Sequence, residues 1–429
     1  MLAALCFALV LAIVLSSYIT MCYRSLQMST RNANSGHSVE LAETGMEEAL
    51  WALHNNDWTG WSFTGKTATK TLTGFTFDSN TTGSIRLTIT NFDGTTGTRT
   101  LTVTGTTTLA DGTTQSRTLT STSSQAPLFV NAIAAVGNKT ATYNGTVSFA
   151  GTGTVDSYDS TTDLNAASVG YSAIVASTSN VTTASTVQMT NVKIKGYVAT
   201  LSTGPSYSTS ATLYGPTSPA LPKIDTSRLT TSPYQPLFDV VTPAAPNPLG
   251  SGSQTIGTAG ATVPTYYYYS GNYKLSSSDT LTVNGPVVIV ISGYLWTDGG
   301  GSNSTGGKIN VTNSGSLTIF VRGDMRIDGG GIVNASKLPK NVAIFGQTGN
   351  NNALEFWTTV PFYGVIYTPQ ASLSFANNVT YYGAVVAQSV SFAASTSPTF
   401  HYDTSLRNTA FAGIDTPFAV SNWRETTNP

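Results

Sequence analysis

The residues of this chain that could do acid–base chemistry are few and widely spaced. Between residues 249 and 397 the carboxylates are Asp279, Asp298, Asp324, Asp328 and Glu355. Asp324 and Asp328 flank one short predicted strand, Met325-Arg326-Ile327. A glycosidase needs two carboxylates facing one bond, which here requires Glu355 beside one of these aspartates. Turn aspartates that accept hydrogen bonds from the local backbone are the simpler interpretation.

Two further groups could bind a metal. Asp156, Asp159 and Asp163 lie in a Ser/Thr-rich loop, and such oxygen ligands can hold calcium. Their spacing is not that of an EF-hand, and side-chain-capped turns explain them equally well, so calcium stays open. His401 and Asp403 share one face of a predicted strand, but a third ligand is not in view. We therefore predict no catalytic, cofactor-binding or metal-ligating residues, no cofactor and no enzymatic activity.

Composition favours an exported, β-rich protein. Charged residues make up 10% of the 429 residues, and the formal net charge is −1, which gives no basis for a nucleic-acid partner. The cysteines are Cys6 and Cys22. They lie about 24 Å apart along one helix, too far for a disulfide. The exported part must therefore be held by hydrogen bonds and packing.

An uncharged apolar run opens the chain, and the first charge is Arg24. As a helix, residues 1–23 span roughly 34 Å, enough to cross a hydrocarbon core about 30 Å thick. From Val39 to Leu53 apolar residues recur at helical spacing, mostly with glutamates between them. We therefore predict one long helix within residues 1–57, apolar in its N-terminal part and amphipathic in its C-terminal part.

Residues 42–50, Ala-Glu-Thr-Gly-Met-Glu-Glu-Ala-Leu, follow that run. The combination resembles the N-terminal region of minor type IV pilins of the PilX type. The resemblance implies a single-pass protein of the inner (cytoplasmic) membrane with its bulk outside the cytoplasm, in the pilus or at the cell surface. Its implied partners are other pilin subunits, packed against the helix, and membrane lipid.

Two features depart from the pilin pattern. Major pilins carry a glutamate five residues into the mature helix, where this chain has Leu5, which argues for a minor subunit. The basic leader cleaved by prepilin peptidase is also absent, so either the numbering follows its removal or the true start lies upstream. Lys and Arg beside a membrane helix usually mark its cytoplasmic side, so Arg24 and Arg31 alone would place the chain after the helix inside the cell. We follow the resemblance, which places it outside.

Residues 58–125 change from helical to alternating periodicity. Ile85, Leu87 and Ile89 share one face, and Leu101 and Val103 continue it on the next strand. Asp-Gly pairs at 93–94 and 111–112 supply the positive φ angles of tight hairpins. We predict an antiparallel β meander that packs on the amphipathic half of the helix, as in a pilin-like head.

Residues 126–429 contain short apolar stretches punctuated by glycine and an internal repeat. Phe362-Tyr363-Gly364-Val365-Ile366 returns as Tyr381-Tyr382-Gly383-Ala384-Val385, 19 residues later. Residues 371–375 align with 389–392 to within a residue. Such a period, with two short strands per unit, is typical of a β-solenoid, whose coils bury side chains by stacking. A β-sandwich is the alternative that the strand pattern leaves open.

Several short segments resemble parts of a domain found C-terminal to PilX-type N-terminal regions. They are residues 155–160, 332–335, 362–369 and 400–403. A Pro-rich passage at about 216–248 interrupts the coils and predicts an external strap, because proline cannot donate to a strand ladder. Tyr266 to Tyr269, with Tyr273, predict edge packing or a ligand-facing aromatic patch.

The sequence therefore predicts a mainly β protein with one long N-terminal helix: a pilin-like helix and small meander, then a β-solenoid. The implied function is a minor pilin or pilin-like structural protein that displays its head for pilus assembly, capping or adhesion. Surface glycans, a host or a substratum are further candidate partners. Two alternatives stay open: a surface-tethered carbohydrate-active β-helix enzyme, and a membrane-anchored adhesin unrelated to pili.

Overall fold

The structure is a computed structural model that describes residues 2–55, 57–92, 98–125, 128–137, 145–179, 185–200, 205–215, 224, 246–299, 305–346, 353–393, 397–409, 411 and 418–426. The chain forms two compact units. Unit 1 comprises residues 1–126 and 415–429, and unit 2 comprises residues 127–414.

The helix α1 spans Leu2–Asn55. The first strands are β1 (Ser62–Thr64), β2 (Thr67–Asp78), β3 (Thr81–Thr90), β4 (Arg99–Leu109) and β5 (Thr114–Gln125). They are followed by β6 (Ile133–Ala135), β7 (Val147–Tyr158), β8 (Ala173–Ser177), β9 (Val187–Ile194), β10 (Gly196–Thr200), β11 (Ser206–Tyr207), β12 (Thr212–Leu213), β13 (Asn247–Pro248), β14 (Gln254–Ile256), β15 (Thr265–Tyr269), β16 (Tyr273–Leu275), β17 (Thr280–Val283), β18 (Pro286–Ile291) and β19 (Leu295–Thr297). The last are β20 (Lys308–Val311), β21 (Ser316–Val321), β22 (Met325–Ile327), β23 (Gly331–Asn334), β24 (Val342–Gly346), β25 (Ala353–Phe356), β26 (Phe362–Phe375), β27 (Thr380–Phe392), β28 (Thr399–Asp403) and β29 (Phe418–Thr426), with 3₁₀ helices at Pro339–Asn341 and Thr404–Asn408.

Unit 1 packs the second half of α1 on an antiparallel sheet of order β1-β2-β3-β4-β5-β29. The predicted alternation is confirmed, because Ile85, Leu87, Ile89, Leu101 and Val103 are all fully buried. Side chains of a strand alternate between the two faces, so this set forms one apolar face under the helix. The Asp-Gly pair predicted to turn at 93–94 lies outside the described residues, whereas Gly112 has the expected positive φ of 82°.

The C-terminal strand β29 was assigned by the sequence analysis to the solenoid with the rest of 126–429. It pairs instead with β5, for example Val420 with Ser123 and Glu425 with Leu119. Local sequence contains no sign of this pairing, because the two strands are almost 300 residues apart.

Unit 2 consists of parallel coils, and its named strands pair in parallel throughout the described residues. The predicted fold class is thereby confirmed, and the β-sandwich alternative is wrong, since hairpins and Greek keys give antiparallel pairs. From β14 to β25 each coil contributes three strands, such as β17, β18 and β19. In the predicted repeat each coil is instead one long strand, β26 or β27, where two short strands were expected, and the pairing shifts register between Thr368 and Ser372. The repeat in the last coils is in the predicted register: Phe362 pairs with Tyr381 and Phe375 with Phe392.

One side of the coils, here called face 1, contains β15, β18, β21, β24, the middle of β26 and β27, β6, β8 and β10. Its inner row of side chains includes Ile289, Ile319 and Ile344. The neighbouring outer row includes Phe320 and Phe345, and these are equally buried. Because both sides of face 1 are covered, its strands read as continuous apolar runs, as parallel strands usually do.

The order of the coils in space differs from their order in sequence. β27 pairs with β6, at Val385 and Ile133, and β28 pairs with both β27 and β7. The chain therefore enters the stack at β6, runs to one end at β12, restarts at the other end at β13, and coils back to meet its own beginning. Ile224 extends the first of these ends, because it pairs in parallel with Val198 of β10.

The predicted Pro-rich strap falls mostly on residues outside those described. Of its described part, Asn247–Pro248 forms β13, which pairs with Tyr267 and Tyr268 at the end of the stack. A proline is tolerated there because an end strand needs hydrogen bonds on one side alone.

Several glycines lie where consecutive coils come closest to one another. A Cβ on Gly383 would lie 1.8 Å from the carbonyl oxygen of Gly364, and Gly383 has a φ of 141°. A Cβ on Gly323 would lie 2.7 Å from the carbonyl carbon of Gly293. Consecutive coils therefore approach closely at stacked glycines, where any side chain would separate them.

Candidate functional site

The first part of α1 exposes a continuous apolar surface. Its described large apolar side chains that are more than half exposed are Leu5, Phe7, Leu9, Val10, Leu11, Ile13, Val14, Leu15, Tyr18, Ile19, Met21, Tyr23, Leu26 and Met28. We call this set the apolar segment. Among the described residues, α1 is a helix that is long enough and apolar enough to cross a membrane, judged by length and composition. On soluble proteins, large exposed apolar patches mark sites that contact a membrane or another protein.

The second part of α1 is fixed to the sheet by close packing and buried hydrogen bonds. Ser38 Oγ donates to the carbonyl oxygen of Asn34 at 2.8 Å and lies 3.0 Å from Thr107 Oγ1. A Cβ on Gly105 would lie 2.2 Å from the carbonyl oxygen of Ser38. A residue with any side chain at this position would hold helix and sheet apart.

Charged contacts at the surface of unit 1 surround this core. Lys70 Nζ lies 2.7 Å from Glu48 Oε1, which joins strand β2 to the helix. Arg117 donates to Ser35 Oγ at 2.7 Å and pairs with Glu425 at 3.1 Å. Ion pairs at a protein surface contribute about 0–1 kcal/mol each, so the apolar packing dominates.

Continuity of α1 follows from its composition. Residues 2–55 contain no proline, and their glycines are Gly36 and Gly45. A Cβ on Gly36 would meet nothing within 4 Å, whereas Gly45 lies against Ile85 and Val103. The same helix therefore carries the apolar segment and the sheet of unit 1, with no break between them.

The candidate acid–base carboxylates on the coils bind neighbouring groups. Asp298 lies 2.8 Å from Lys274 Nζ, Asp328 lies 3.1 Å from Arg326, and Glu355 accepts a 2.9 Å hydrogen bond from the indole of Trp357. Glu355 is opposite Arg326 in the strand register, so it pairs with neither Asp324 nor Asp328 there.

Cations and aromatic rings alternate across the same four coils. Lys274 Nζ lies 4.3 Å from the ring centre of Trp296, and the Arg326 guanidinium lies 4.5 Å from that of Trp357. Cation–π contacts, together with the Lys274–Asp298 ion pair, thus link neighbouring coils. The arrangement explains these charged residues as stacking contacts between coils.

The three loop aspartates point to different partners. Asp159 accepts hydrogen bonds from Thr161, and Asp163 accepts them from the backbone of Asn165 and Ser168. These bonds lower the pKa of Asp163, the bond from Ser168 most strongly. Among the described residues, no group of three or more His, Cys, Asp or Glu side chains is placed to hold a metal ion.

His401 and Asp403 share a face, as predicted, but bind different groups. His401 Nδ1 lies 2.6 Å from Asp156 Oδ1. Asp403 is fully buried and accepts hydrogen bonds from Ser160 Oγ at 2.6 Å and from the backbone of Ser160 and Ser405. Both contacts join β28 to the β7 region, so these residues close the stack.

Sequence reasoning missed a row of rings on the outside of the same strands. Tyr363 and Tyr382 stack with centres 4.1 Å apart, and Tyr382 stacks on His401 at 4.7 Å. Tyr158 packs edge-on against Tyr382, and its buried hydroxyl has no hydrogen-bond partner among the residues that the structure describes. Burial, and then Asp403, raises the pKa of Tyr158. The equal spacing of 363, 382 and 401 was the signal that could have revealed this row.

The tyrosines 266–269 form β15, and each is half-buried against the core. Tyr269 contacts Tyr273 with ring centres 4.9 Å apart, and the hydroxyl of Tyr267 accepts a hydrogen bond from the backbone of Gly257 at 3.3 Å. These contacts are those of edge packing at the end of the coils.

Comparison with known proteins assigns part of unit 2. Residues 245–409 match a family described as a domain of unknown function, DUF7305. The match begins at the first coil of the C-terminal half and ends after β28. Strands β6 to β12 lie outside the match, although they belong to the same parallel stack.

No curated protein matches the sequence. Among solved structures, the competence-associated pilin ComZ from Thermus thermophilus is similar at 11% identity and a TM-score of 0.25, over 92% of this chain and 97% of that one. At that identity and score the likeness is too weak to assign a fold or a function.

Proposed function

We propose that this chain is a minor pilin-like structural protein of the PilX type. The apolar segment anchors it in the inner membrane and packs against other pilin helices, and the bulk of the chain lies outside the cytoplasm. The coils are then displayed for assembly, capping or adhesion. In this role the protein does no catalysis.

The observation that carries the proposal is the undivided helix α1. Its apolar segment is exposed from Leu5 to Met28, while Ala42, Met46 and Ala49 are fully buried against the sheet of unit 1. A membrane anchor joined by a flexible linker would leave the head free to rotate. A continuous helix instead fixes unit 1 at a set distance from the lipid, as an assembling subunit requires.

The apolar segment can leave the bilayer when other apolar helices replace the lipid. From Leu5 to Tyr23 the helix carries no charge, and its first charged residues, Arg24 and Arg31, follow that stretch. Apolar burial contributes about 25 cal/mol per Å² whether lipid or protein covers the surface. One surface therefore serves both as anchor and as assembly interface.

The carbohydrate-active alternative has less support. Asp298 and Asp328 are ion-paired, and Glu355 is hydrogen-bonded to Trp357. A general acid or a nucleophile must instead face a sugar. Cleavage of a polysaccharide by the purified protein, lost on Glu355→Gln, would favour the enzyme over the structural role.

Fractionation and labelling test the proposal in cells that make the protein. The full chain should sediment with membranes and with sheared fibres, and a chain lacking residues 1–23 should be soluble. Retention of the shortened chain on membranes would disprove the anchor. A full chain that is membrane-bound but absent from fibres, and that cannot be cross-linked to pilin subunits, would favour the adhesin unrelated to pili.

A further inference from the structure

The edge of the unit 1 sheet is completed by the far end of the chain. β29 is the outermost strand and pairs with β5 from Phe418 opposite Gln125 to Thr426 opposite Thr118. Thr122 and Ser421, whose hydroxyls are 3.0 Å apart, are separated by 299 residues. The strand that covers this edge is thus supplied by a remote segment, and β5 is the only strand it pairs with in the described residues.

Among the described side chains of β29, those of residues 420–425, few contacts add to the backbone ladder with β5. Residues 420–425, whose side chains are described, are all exposed, including Trp423 at 50%. Their side-chain contacts are polar and solvent-facing: Ser421 and Asn422 with Thr122, and Glu425 with Arg117. Exposed contacts of these kinds are weak. Strand β29 can therefore separate without opening the apolar core beneath α1.

Strand β29 is irregular, whereas the edge of β5 that it covers is regular. Its pairing register shifts between Ser421 and Arg424, and Asn422 has a positive φ of 55°. Such a bulge bends a strand and blunts its free edge against further pairing. The β5 edge beneath it pairs in unbroken register with β4 on its other side, from Thr114 to Ser123. A regular edge of that length accepts an added strand readily.

We propose that β29 is exchanged between copies of this protein, so that β29 of one chain pairs with β5 of a second copy. Every copy carries the matching strand, and the exchanged pair has the same register and the same contacts as the closed form. Exchange of identical elements is a low-energy route to association. Copies held at high local density gain the most, because the effective concentration of the donor strand rises. Because the bulge hinders pairing at the free edge of β29, two copies associate by exchanging β29 rather than by adding a strand to that edge.

Disulfide trapping between differently tagged full-length chains tests the exchange. Cys6 and Cys22 are first changed to Ser, so that new thiols are the only ones. One chain then carries Thr122→Cys and the other Ser421→Cys, and the two are co-expressed and mildly oxidised. The expected result is a covalent dimer containing both tags, which disappears on reduction.

A matched pair inside the sheet is the control. Thr104 and Thr118 make a similar contact at 2.9 Å between β4 and β5, where neither strand is at the edge. Thr104→Cys and Thr118→Cys on separate chains should give no covalent dimer. A third chain carrying both Thr122→Cys and Ser421→Cys shows that the geometry allows the bond. Exchange is disproved if that chain forms its internal disulfide while the separate chains yield no more dimer than the control.

Discussion

His401 Nδ1 lies 2.6 Å from Asp156 Oδ1, although 245 residues separate them along the chain. The contact joins β28, the last strand of unit 2, to β7, which is among its first. One coil at the middle of the stack is therefore built from both ends of the unit. In a simple solenoid each coil rests on the coil before it in sequence, whereas here the final strand fills a gap left at the start.

Truncation should separate the two C-terminal strands by function. A chain ending at Ala393 lacks β28, so Asp156 loses His401 and Ser160 loses Asp403. Unit 2 should then lose its resistance to limited proteolysis. A chain ending at Phe411 keeps β28 and lacks β29, and its unit 2 should stay resistant. Equal resistance of the two truncated chains would contradict the closing role of β28.

Aromatic stacking across the same junction should carry much of its stability. Phe392 lies between Phe149 and Phe375, with ring centres 4.7 Å from each and planes nearly parallel. Phe392→Ala should lower the free energy of unfolding by about 3–5 kcal/mol, because it leaves a cavity among buried rings. Chemical denaturation of the purified protein measures the change.

Tyr207→Ala provides the matched control for that experiment, since Tyr207 is 59% exposed on β11. Its effect should stay within about 0.5 kcal/mol. Similar losses for the two variants would mean that the junction does not depend on the stacked rings.

The two glycines of α1 should respond in opposite directions to one substitution. Gly45→Ala places a Cβ 2.5 Å from side-chain atoms of both Ile85 and Val103 and should destabilise unit 1 by about 1–3 kcal/mol. Gly36→Ala meets nothing and should stabilise the helix by up to about 1 kcal/mol. Thermal unfolding in detergent compares the two, and a loss of stability in Gly36→Ala would show that this position is covered.

Alkaline pH should unfold unit 2 through its buried tyrosines. Burial raises the pKa of Tyr273 from 10.0 to about 12 and raises that of Tyr158 further. The folded state thus favours the neutral phenol, so the stability is full below pH 10.0 and falls as the pH rises towards the folded pKa. Tyr273→Phe should shift the midpoint of alkaline unfolding to higher pH.

Phenolate absorbance and circular dichroism, followed in one titration, check this prediction. The buried tyrosines should ionise together with the loss of structure. A midpoint that is unchanged or lower in Tyr273→Phe would show that ionisation of Tyr273 does not drive the unfolding.

Periodicity predicted much of the local structure because local side-chain patterns reflect burial. Ala42, Met46 and Leu53 mark the packed face of α1, and Ile85 and Leu87 mark that of the meander. The repeat of Phe362 as Tyr381 predicted the register of the last coils, since stacked coils align equivalent residues. The candidate chemical residues were harder to interpret, because a partner such as Lys274 for Asp298 lies on the neighbouring coil and no local pattern indicates it.

The sequence by itself determined the long apolar helix, the meander and the coiled character of the C-terminal half, because these depend on spacing within a few tens of residues. The tertiary structure alone decided that β28 completes the coil begun by β6 and β7, and that β29 leaves the coils for the edge of β5. These pairings join segments more than 200 residues apart, and a strand edge offers the same backbone donors and acceptors to any partner. Which strand pairs with a given edge therefore depends on the fold of the whole chain.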